Sequence, residues 1–187
     1  MQGLRYDRPL DIDVRPVRTT TELAAILELQ RANHAVSVSA AEAAEQGFVT
    51  VAHDLALLEQ MHAIAPSIAA FDRAELAGYA LVMPVECRAL VPVLVPMFDR
   101  LDALGVRQYY IMGQICIAKP YRGHGVFDAL YAGHRAELAS RYARCVTEIA
   151  TRNTRSMRAH ERVGFHVIDT YRDATDEWAL VSWDWAA

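Results

Sequence analysis

The stretch YRGHGVF, residues 121–127, places glycines and an arginine at the start of a helical pattern. A helix N-terminus presents N–H groups that have no intrahelical partner, together with about half a positive charge. Gly123 and Gly125 let the backbone turn so that successive N–H groups converge on an anion, and Arg122 adds a donor suited to phosphate oxygens. The pattern indicates a phosphate-binding turn, although the glycines are equally compatible with a plain strand-to-helix turn.

Other site chemistries have no matching pattern in the sequence. A GxGxxG nucleotide motif would need a glycine where Asp128 stands, and GxxxxGK[ST] does not occur. Cys87, Cys116 and Cys145 are far apart, without a CxxC pair or zinc-like His/Cys spacing. We therefore expect reduced thiols and no metal, and we expect Cys116 and Cys145 to be core residues.

The segments around the turn predict a central strand–helix–strand order. Residues 109–118 are apolar nearly throughout and rich in β-formers, which predicts a buried strand that ends at the turn. A helix is expected over 125–143, followed by a short strand at 145–150. The next helix begins after Asn153 as N-cap and ends at Gly164.

The remaining segments predict further strands and helices of one mixed domain, 1–187, in which residues 1–11 form a loose arm. The N-terminal helix is indicated by a capping box, Thr19 followed by Glu22. The expected elements are an edge strand at 12–17, a hairpin at 67–84, a closing antiparallel pair at 165–173 and 177–185, and helices at 19–32, 39–47, 52–63 and 96–104.

Composition narrows the function classes. The chain of 187 residues is 53% hydrophobic and 22% charged, close to ordinary globular usage. Its net charge of −4 argues against a protein that mainly neutralises nucleic-acid phosphates. No apolar stretch approaches the roughly 20 residues that span a bilayer, and the N-terminus has no apolar signal region. We expect a cytoplasmic protein that binds neither nucleic acid nor membrane.

The turn and the strand before it resemble a known family. ICIAKPYRGHGVFDALY resembles the acetyl-coenzyme A (acetyl-CoA) segment of the GCN5-related N-acetyltransferases (GNAT superfamily), whose signature is [Q/R]xxGx[G/A]. Arg122, Gly125 and Phe127 take the three defined places, so a bulky ring stands where the family has a small residue. The resemblance requires this ring to point away from the phosphates, into the core below the helix.

A second block resembles the same family. TEIATRNTRSMRAHERVGF matches a strand ending in glutamate, then asparagine, then a helix ending in Tyr-x-x-x-Gly-Phe. Glu148, Asn153, Gly164 and Phe165 match this block, and His160 stands where tyrosine is usual.

The two blocks and their flanking elements extend the resemblance over about residues 12–185. It implies an α/β (α+β) fold: a mixed, mostly antiparallel twisted sheet with a central strand–loop–helix cofactor cradle and flanking helices. It also implies acetyl transfer from acetyl-CoA to a primary amine of a small molecule or peptide, with a homodimer as a possible assembly. The alternatives are a non-catalytic acyl-CoA-binding or regulatory module and, more distantly, a plain nucleotide-binding domain.

The resemblance also implies the cofactor contacts. The strand would offer backbone groups to pantetheine at Ile115, Cys116 and Ile117. Amides of the turn would hold the pyrophosphate, at Arg122, Gly123, His124, Gly125, Val126 and Phe127. Asn153 and Ser156 would lie along the pantetheine arm. Arg155 or Arg158 would reach the 3′-phosphate, unless these arginines form only a solvated helix face.

Glu148 is the first candidate for a general base. An amine of pKa about 10.4 is almost entirely protonated at neutral pH, so a base or a water relay is useful. Glu86 and Gln114 are weaker candidates, and Gln114 would only position a water. A non-catalytic Glu148 would instead face solvent or pair with an arginine such as Arg152.

His160 occupies the position of the family's general acid, close to the thioester sulfur. A histidine of ordinary pKa is largely neutral at pH 7, so it would need a carboxylate to raise its pKa or would donate from its neutral form. The acid role predicts that His160→Phe lowers kcat more than cofactor affinity, whereas a packing role predicts unchanged turnover. The acceptor itself is not specified, but the apolar segment 83–97 suggests an acceptor pocket or a dimer contact.

Overall fold

The computed structural model describes residues 9–34, 49 and 51–185, so the predicted helix at 39–47 and most of the N-terminal arm lie outside the described residues. The strands are β1 Ile12–Pro16, β2 Ile68–Asp72, β3 Glu75–Met83, β4 Tyr109–Ile117, β5 Arg144–Ala150, β6 His166–Arg172 and β7 Glu177–Asp184. The α-helices are α1 Thr20–Asn33, α2 Leu55–Ile64, α3 Val95–Ala103, α4 Val126–Leu138 and α5 Thr154–Val163. Short 3-10 helices occupy Val85–Leu90, Pro92–Leu94 and Lys119–Tyr121.

The seven strands of the described residues form one sheet in the order β1-β2-β3-β4-β5-β7-β6. Among these strand pairs, only β4–β5 is parallel. The predicted fold class is therefore confirmed: a mixed, mostly antiparallel sheet with flanking helices. The predicted edge position of the first strand is also confirmed, and Pro16 at its end costs no internal ladder bond.

The sheet separates two apolar cores. One core joins α1, α2 and α3 to one face of the sheet, and the other joins α4 to the opposite face. Helix α4 lies close against β1 and β2, because a Cβ atom at Gly133 would come within 2.9 Å of side-chain carbons of both Val14 and Ile68. This close packing fixes the direction in which the start of α4 points.

Two helix boundaries differ from their predictions. Helix α2 begins at Leu55 rather than near residue 52, because the Asp54 carboxylate accepts the Leu57 N–H at 2.8 Å and caps the first turn. Helix α4 ends at Leu138 rather than near residue 143. Beyond it the Ala143 N–H donates to Gln108 O at 2.7 Å, which directs the chain into β5.

The predicted helix caps are confirmed. Thr19 accepts the Glu22 N–H at 3.2 Å, and the Glu22 carboxylate accepts the Arg18 N–H at 2.6 Å. Asn153 caps α5 by accepting the Ser156 N–H at 3.1 Å. Helix α5 ends at Gly164, whose φ of +118° lies in the left-handed region that favours glycine.

The parallel pair opens in the middle of the sheet. Strands β4 and β5 are paired only from Tyr109 opposite Arg144 to Ile111 opposite Val146. Beyond that point β4 continues to Ile117 along β3, and β5 continues along β7, so their facing edges are no longer paired with each other. Unpaired strand edges offer N–H and C=O groups to a ligand. The resulting wedge positions the candidate site.

Candidate active site

The wedge between β4 and β5 forms one elongated cleft. It contains two cavities of about 620 and 590 Å³, each within the usual range of ligand pockets. The cavities adjoin each other, since both are lined by Val49, Ile115, Asn153, Thr154, Arg155 and Ser156. The first extends to the glycine turn, which we call the turn end, and the second extends to Glu148, which we call the Glu148 end.

The turn end is formed by the backbone before α4. Gly123 and Gly125 have φ angles of +80° and +77°, which other residues adopt only with strain. Gly125 is the N-cap of α4, and no side chain caps the first turn. A Cβ atom at either glycine would meet no atom within 4 Å, so the space beside the turn is open. The turn therefore presents uncapped helix N–H groups to the cleft, which suits an anion.

Arg122 braces the turn against the rest of the fold. Its Nε donates to Ile117 O at 3.2 Å, and one terminal nitrogen donates to Asn33 Oδ1 at 2.5 Å. These bonds tie the turn to the end of β4 and to the last residue of α1. These contacts position the turn, and the expected contact of the guanidinium with phosphate stays a prediction.

The Phe127 ring lies between α4 and α5. Its centroid is 5.1 Å from that of Tyr131 and 5.3 Å from that of His160, both in edge-to-face geometry. The Arg162 guanidinium lies 6.0 Å from the ring centroid. The half-buried ring thus packs on the core below the helix while it forms part of the cleft wall. This is the orientation that the phosphate-binding interpretation requires.

Most of the predicted site residues come together in the cleft. The strand residues 115–117 lie on the part of β4 that is paired with β3 but not with β5. Asn153 and Ser156 face them from the start of α5. His124 is the exception, because its exposed side chain lines neither cavity. The apolar segment 83–97 also lines neither cavity, so nothing here supports its expected role in an acceptor pocket. Its role as a dimer contact stays a prediction.

Glu148 is held at the far end by a tyrosine. Its Oε2 accepts a hydrogen bond from the Tyr171 hydroxyl at 2.5 Å. Burial raises the pKa of Glu148 to about 7, with a further rise from the nearby charge of Asp173 and an opposing decrease from the Tyr171 hydrogen bond. The expected alternative, pairing with Arg152, is not observed, since Arg152 Nε binds Asp176 at 2.6 Å. Glu148 can therefore exchange a proton near neutral pH.

The two weaker base candidates are placed differently. Gln114 lines the Glu148 end, but its Oε1 accepts from Gln30 at 2.8 Å and from Tyr79 at 2.6 Å. Its Nε2 donates to Val51 O at 2.9 Å. The amide is therefore fixed, and it joins β4 to the segment before α2. Glu86 is exposed in a 3-10 helix and lines neither cavity.

His160 is buried and neutral. Its Nδ1 lies 2.8 Å from Ser156 O, which can only accept, so Nδ1 carries the proton and donates. Nε2 then accepts from the Tyr131 hydroxyl at 2.7 Å. Burial lowers the pKa of His160 to about 4. The ring lines the Glu148 end but directs no N–H towards it, so this geometry does not support the expected general-acid role.

A structural role for His160 gives the first testable prediction. His160→Phe leaves the buried Tyr131 hydroxyl without its acceptor, which should cost about 2 kcal/mol and lower the melting temperature (Tm) by several degrees. Well below Tm, kcat should fall less than tenfold. Tyr131→Phe, the matched variant on the other side of the bond, should lower Tm similarly. A hundredfold loss of kcat in His160→Phe at unchanged Tm would restore the acid role.

Two residues that position the site carry no recognisable signal in the sequence. Asn33 ends α1 and receives Arg122, but no motif marks it. Tyr171 reaches Glu148 from a strand that is not adjacent to β5 in the sheet. The pairing order of β5, β7 and β6 brings the side chains of Tyr171 and Glu148 together, and no local sequence pattern specifies that order.

The fold has well-defined structural relatives. The chain aligns with the ribosomal-protein-S18-alanine N-acetyltransferase of Escherichia coli over 95% of this chain and 96% of that chain, with a TM-score of 0.64 and 13% identity. It aligns with YncA of Salmonella typhimurium, solved with its cofactor acetyl-CoA, over 92% and 93%, with a TM-score of 0.63 and 20% identity. The NatC complex bound to Gag peptide and CoA gives 95% and 100% coverage, a TM-score of 0.65 and 14% identity.

The described part of the chain thus has the fold of the GNAT acetyltransferases. No family model matches the sequence, and no curated protein is similar to it in sequence. Within the described residues, no group of His, Cys, Asp and Glu side chains could hold a metal ion. None of the described helices is both long enough and apolar enough to cross a membrane.

Proposed function

We propose that the protein is an acetyl-CoA-dependent N-acetyltransferase that transfers an acetyl group directly from the CoA thioester to a primary amine. The proposal rests on one observation: two adjoining cavities, with one wall in common, lie between the uncapped start of α4 and Glu148. The anion site at the turn end suits a long anionic acyl carrier. At the other end, Glu148 has a pKa of about 7 and suits the removal of a proton from an amine.

The residues of the cleft fit coenzyme A. The pyrophosphate would lie on the N–H groups at the start of α4, beside Gly123 and Gly125. The pantetheine amides would pair with the free edge of β4 at residues 115–117. On the opposite wall Asn153 uses its carbonyl oxygen to cap α5, which leaves its NH₂ group to donate to a ligand. Ser156 lies beside it, in the wall shared by both ends of the cleft.

Glu148 would act as the general base. Acetyl-CoA, when bound, supplies the electrophilic thioester. The Glu148 carboxylate would accept a proton from the attacking amine as the C–N bond forms, and CoA would leave as its thiolate when the C–S bond breaks. The thiolate would then take up a proton from Glu148 or from water. A base is most useful when its pKa lies near the working pH. Because the carboxylate must be ionised to accept a proton, turnover should increase as the pH rises through about 7.

The acceptor is proposed to be an amine-bearing small molecule or peptide. The E. coli enzyme is named for a protein alanine, and the NatC structure holds a Gag peptide. In this chain Thr147, Ala150 and Trp178 line the Glu148 end, where an acceptor would enter.

A non-catalytic acyl-CoA-binding module is the second candidate. It is favoured by the burial of His160, which directs no N–H into the cleft at the position of the family's acid. Release of free thiol from acetyl-CoA, measured with purified protein and a panel of primary amines, separates the two. Amine-dependent release supports the transferase. Thermal stabilisation by CoA without release from any amine would support the module, and stabilisation by ATP but not by CoA would contradict both.

An arginine of α5 gives a prediction about the preference for CoA over 3′-dephospho-CoA. Arg158 is exposed at the turn end of the cleft, and we propose that it binds the 3′-phosphate of coenzyme A. Arg158→Ala should weaken CoA binding about tenfold, as one lost charge-assisted contact would. The affinity for 3′-dephospho-CoA, measured by calorimetry, should not change. Arg135→Ala, at an exposed arginine outside the cleft, should leave both affinities unaltered.

A further inference from the structure

We propose that Tyr171 is a positioning residue for the general base: its hydroxyl fixes the Glu148 carboxylate and stabilises its ionised form, leaving Oε1 to receive the proton of the amine. This inference rests on the proposed function. It assigns a specific part in the proton transfer to a strand that is not paired with β5.

The sheet register places both side chains on one face. Glu148 lies opposite Leu180 on β7, and Tyr171 lies opposite Trp178 on the same strand. Residues two apart on a strand share a face, so all four side chains lie on one side of the sheet. Tyr171 therefore reaches across β7 to Glu148, and the 2.5 Å distance between its hydroxyl and Oε2 is that of a strong hydrogen bond to a carboxylate.

The direction of this bond is fixed by the protonation of the tyrosine. Burial and the neighbouring carboxylate raise the pKa of Tyr171 far above its ordinary value. The hydroxyl therefore keeps its proton and donates it in a hydrogen bond to the ionised carboxylate. Donation to Oε2 favours the ionised carboxylate and opposes the rise in its pKa that burial causes. Without this donor, Glu148 would be largely protonated at neutral pH and would be a poor acceptor.

Other charged groups near Glu148 have partners of their own. Arg152, at the Glu148 end, is paired with Asp176, and Asp169 of β6 is paired with Arg100 of α3. Asp173, on the turn after β6, raises the pKa of Glu148 through its charge. Strand β4 presents the neutral amide of Gln114 to the same end.

Two further titratable or charged side chains lie near the Glu148 end of the cleft. His53, on the chain above the cleft, has its pKa lowered by burial and binds Gln30. Arg155, at the start of α5, lines both ends of the cleft. Tyr171 is thus the donor to Glu148 among the described residues, and its removal has a defined electrostatic consequence.

Tyr171→Phe tests the inference because it removes the hydroxyl and keeps the ring. One charge-assisted hydrogen bond corresponds to a shift of about one to two pH units. We expect the acidic limb of kcat/KM to move to higher pH by that amount, with activity restored at high pH. Tyr142→Phe is the matched control, since the buried Tyr142 hydroxyl has no hydrogen-bond partner among the described residues. Its pH profile should match that of the native protein.

A second measurement does not need turnover. The ¹³C resonance of the Glu148 carboxyl, assigned by its absence in Glu148→Gln, should titrate at higher pH in Tyr171→Phe than in the native protein. An unchanged titration and an unchanged acidic limb would overturn the inference even if the native protein is active. If no amine is acetylated, the proposed function fails, but the titration still supports or overturns the role of Tyr171.

Discussion

Glu148→Gln is expected to lower kcat about a hundred- to ten-thousandfold, the usual range for the loss of a general base. Glutamine keeps the size of the side chain and can still accept a hydrogen bond from Tyr171, but it cannot accept a proton. The affinity for CoA should not change, because Glu148 lies at the end of the cleft away from the turn. Steady-state kinetics with an amine found active in the panel, together with calorimetry, checks both parts.

The same variant should alter the pH dependence of stability. A carboxyl whose pKa is about 7 when folded and 4.5 in its ordinary state binds protons more tightly in the folded protein. Native stability should therefore fall as the pH rises from about 4.5 to 7, and this slope should be reduced in Glu148→Gln. Glu75→Gln, at an exposed glutamate of β3, is the control for a lost charge. Native-like kcat in Glu148→Gln would exclude Glu148 as the base.

Gly125→Ala is expected to raise the Kd for CoA about ten- to a hundredfold. The φ of +77° at this position costs a residue with a Cβ about 1–2 kcal/mol, so the turn would relax away from its present shape. The N–H groups at the start of α4 would then no longer converge on one anion, and each lost charge-assisted bond is worth about 1.5–3 kcal/mol. Titration calorimetry with CoA measures the loss.

Gly105→Ala separates strain from binding in that experiment. Gly105 follows α3, has a φ of +68°, and a Cβ atom there would meet nothing within 4 Å. The two substitutions therefore carry similar backbone strain, but only Gly125 lies in the cleft. Both variants should lose similar stability, and only Gly125→Ala should lose CoA affinity. Equal CoA affinity in both variants would show that the turn does not hold the pyrophosphate.

The order and type of the described elements were predictable from local pattern. The buried strand at 109–118 and the helix that follows Asn153 are marked by apolar runs, caps and a C-terminal glycine, and these signals are local. Helix boundaries were less predictable. The Asp54 side chain sets the start of α2, and a backbone hydrogen bond from Ala143 to Gln108 directs the chain after α4. Such contacts depend on tertiary structure.

The candidate site was predictable only in part, for a similar reason. The glycine turn and Glu148 stand in short blocks of sequence that can be recognised. Burial keeps His160 neutral, and its Nε2 accepts from Tyr131, which lies on another helix. Glu148 accepts a hydrogen bond from Tyr171, two strands away. The position of His160 in the second block suggested that it would be an acid. Burial and two hydrogen bonds keep the ring neutral and direct its N–H to Ser156 O, which does not support that role.

A crystal structure with bound CoA tests the central claim most directly. We expect the pyrophosphate on the N–H groups between Gly123 and the first turn of α4, pantetheine along residues 115–117, and the thiol near Glu148. We also expect the Phe127 ring to keep its contact with His160. CoA bound outside the β4–β5 wedge, or a Phe127 ring that fills the space beside the turn, would contradict the proposed mode of cofactor binding.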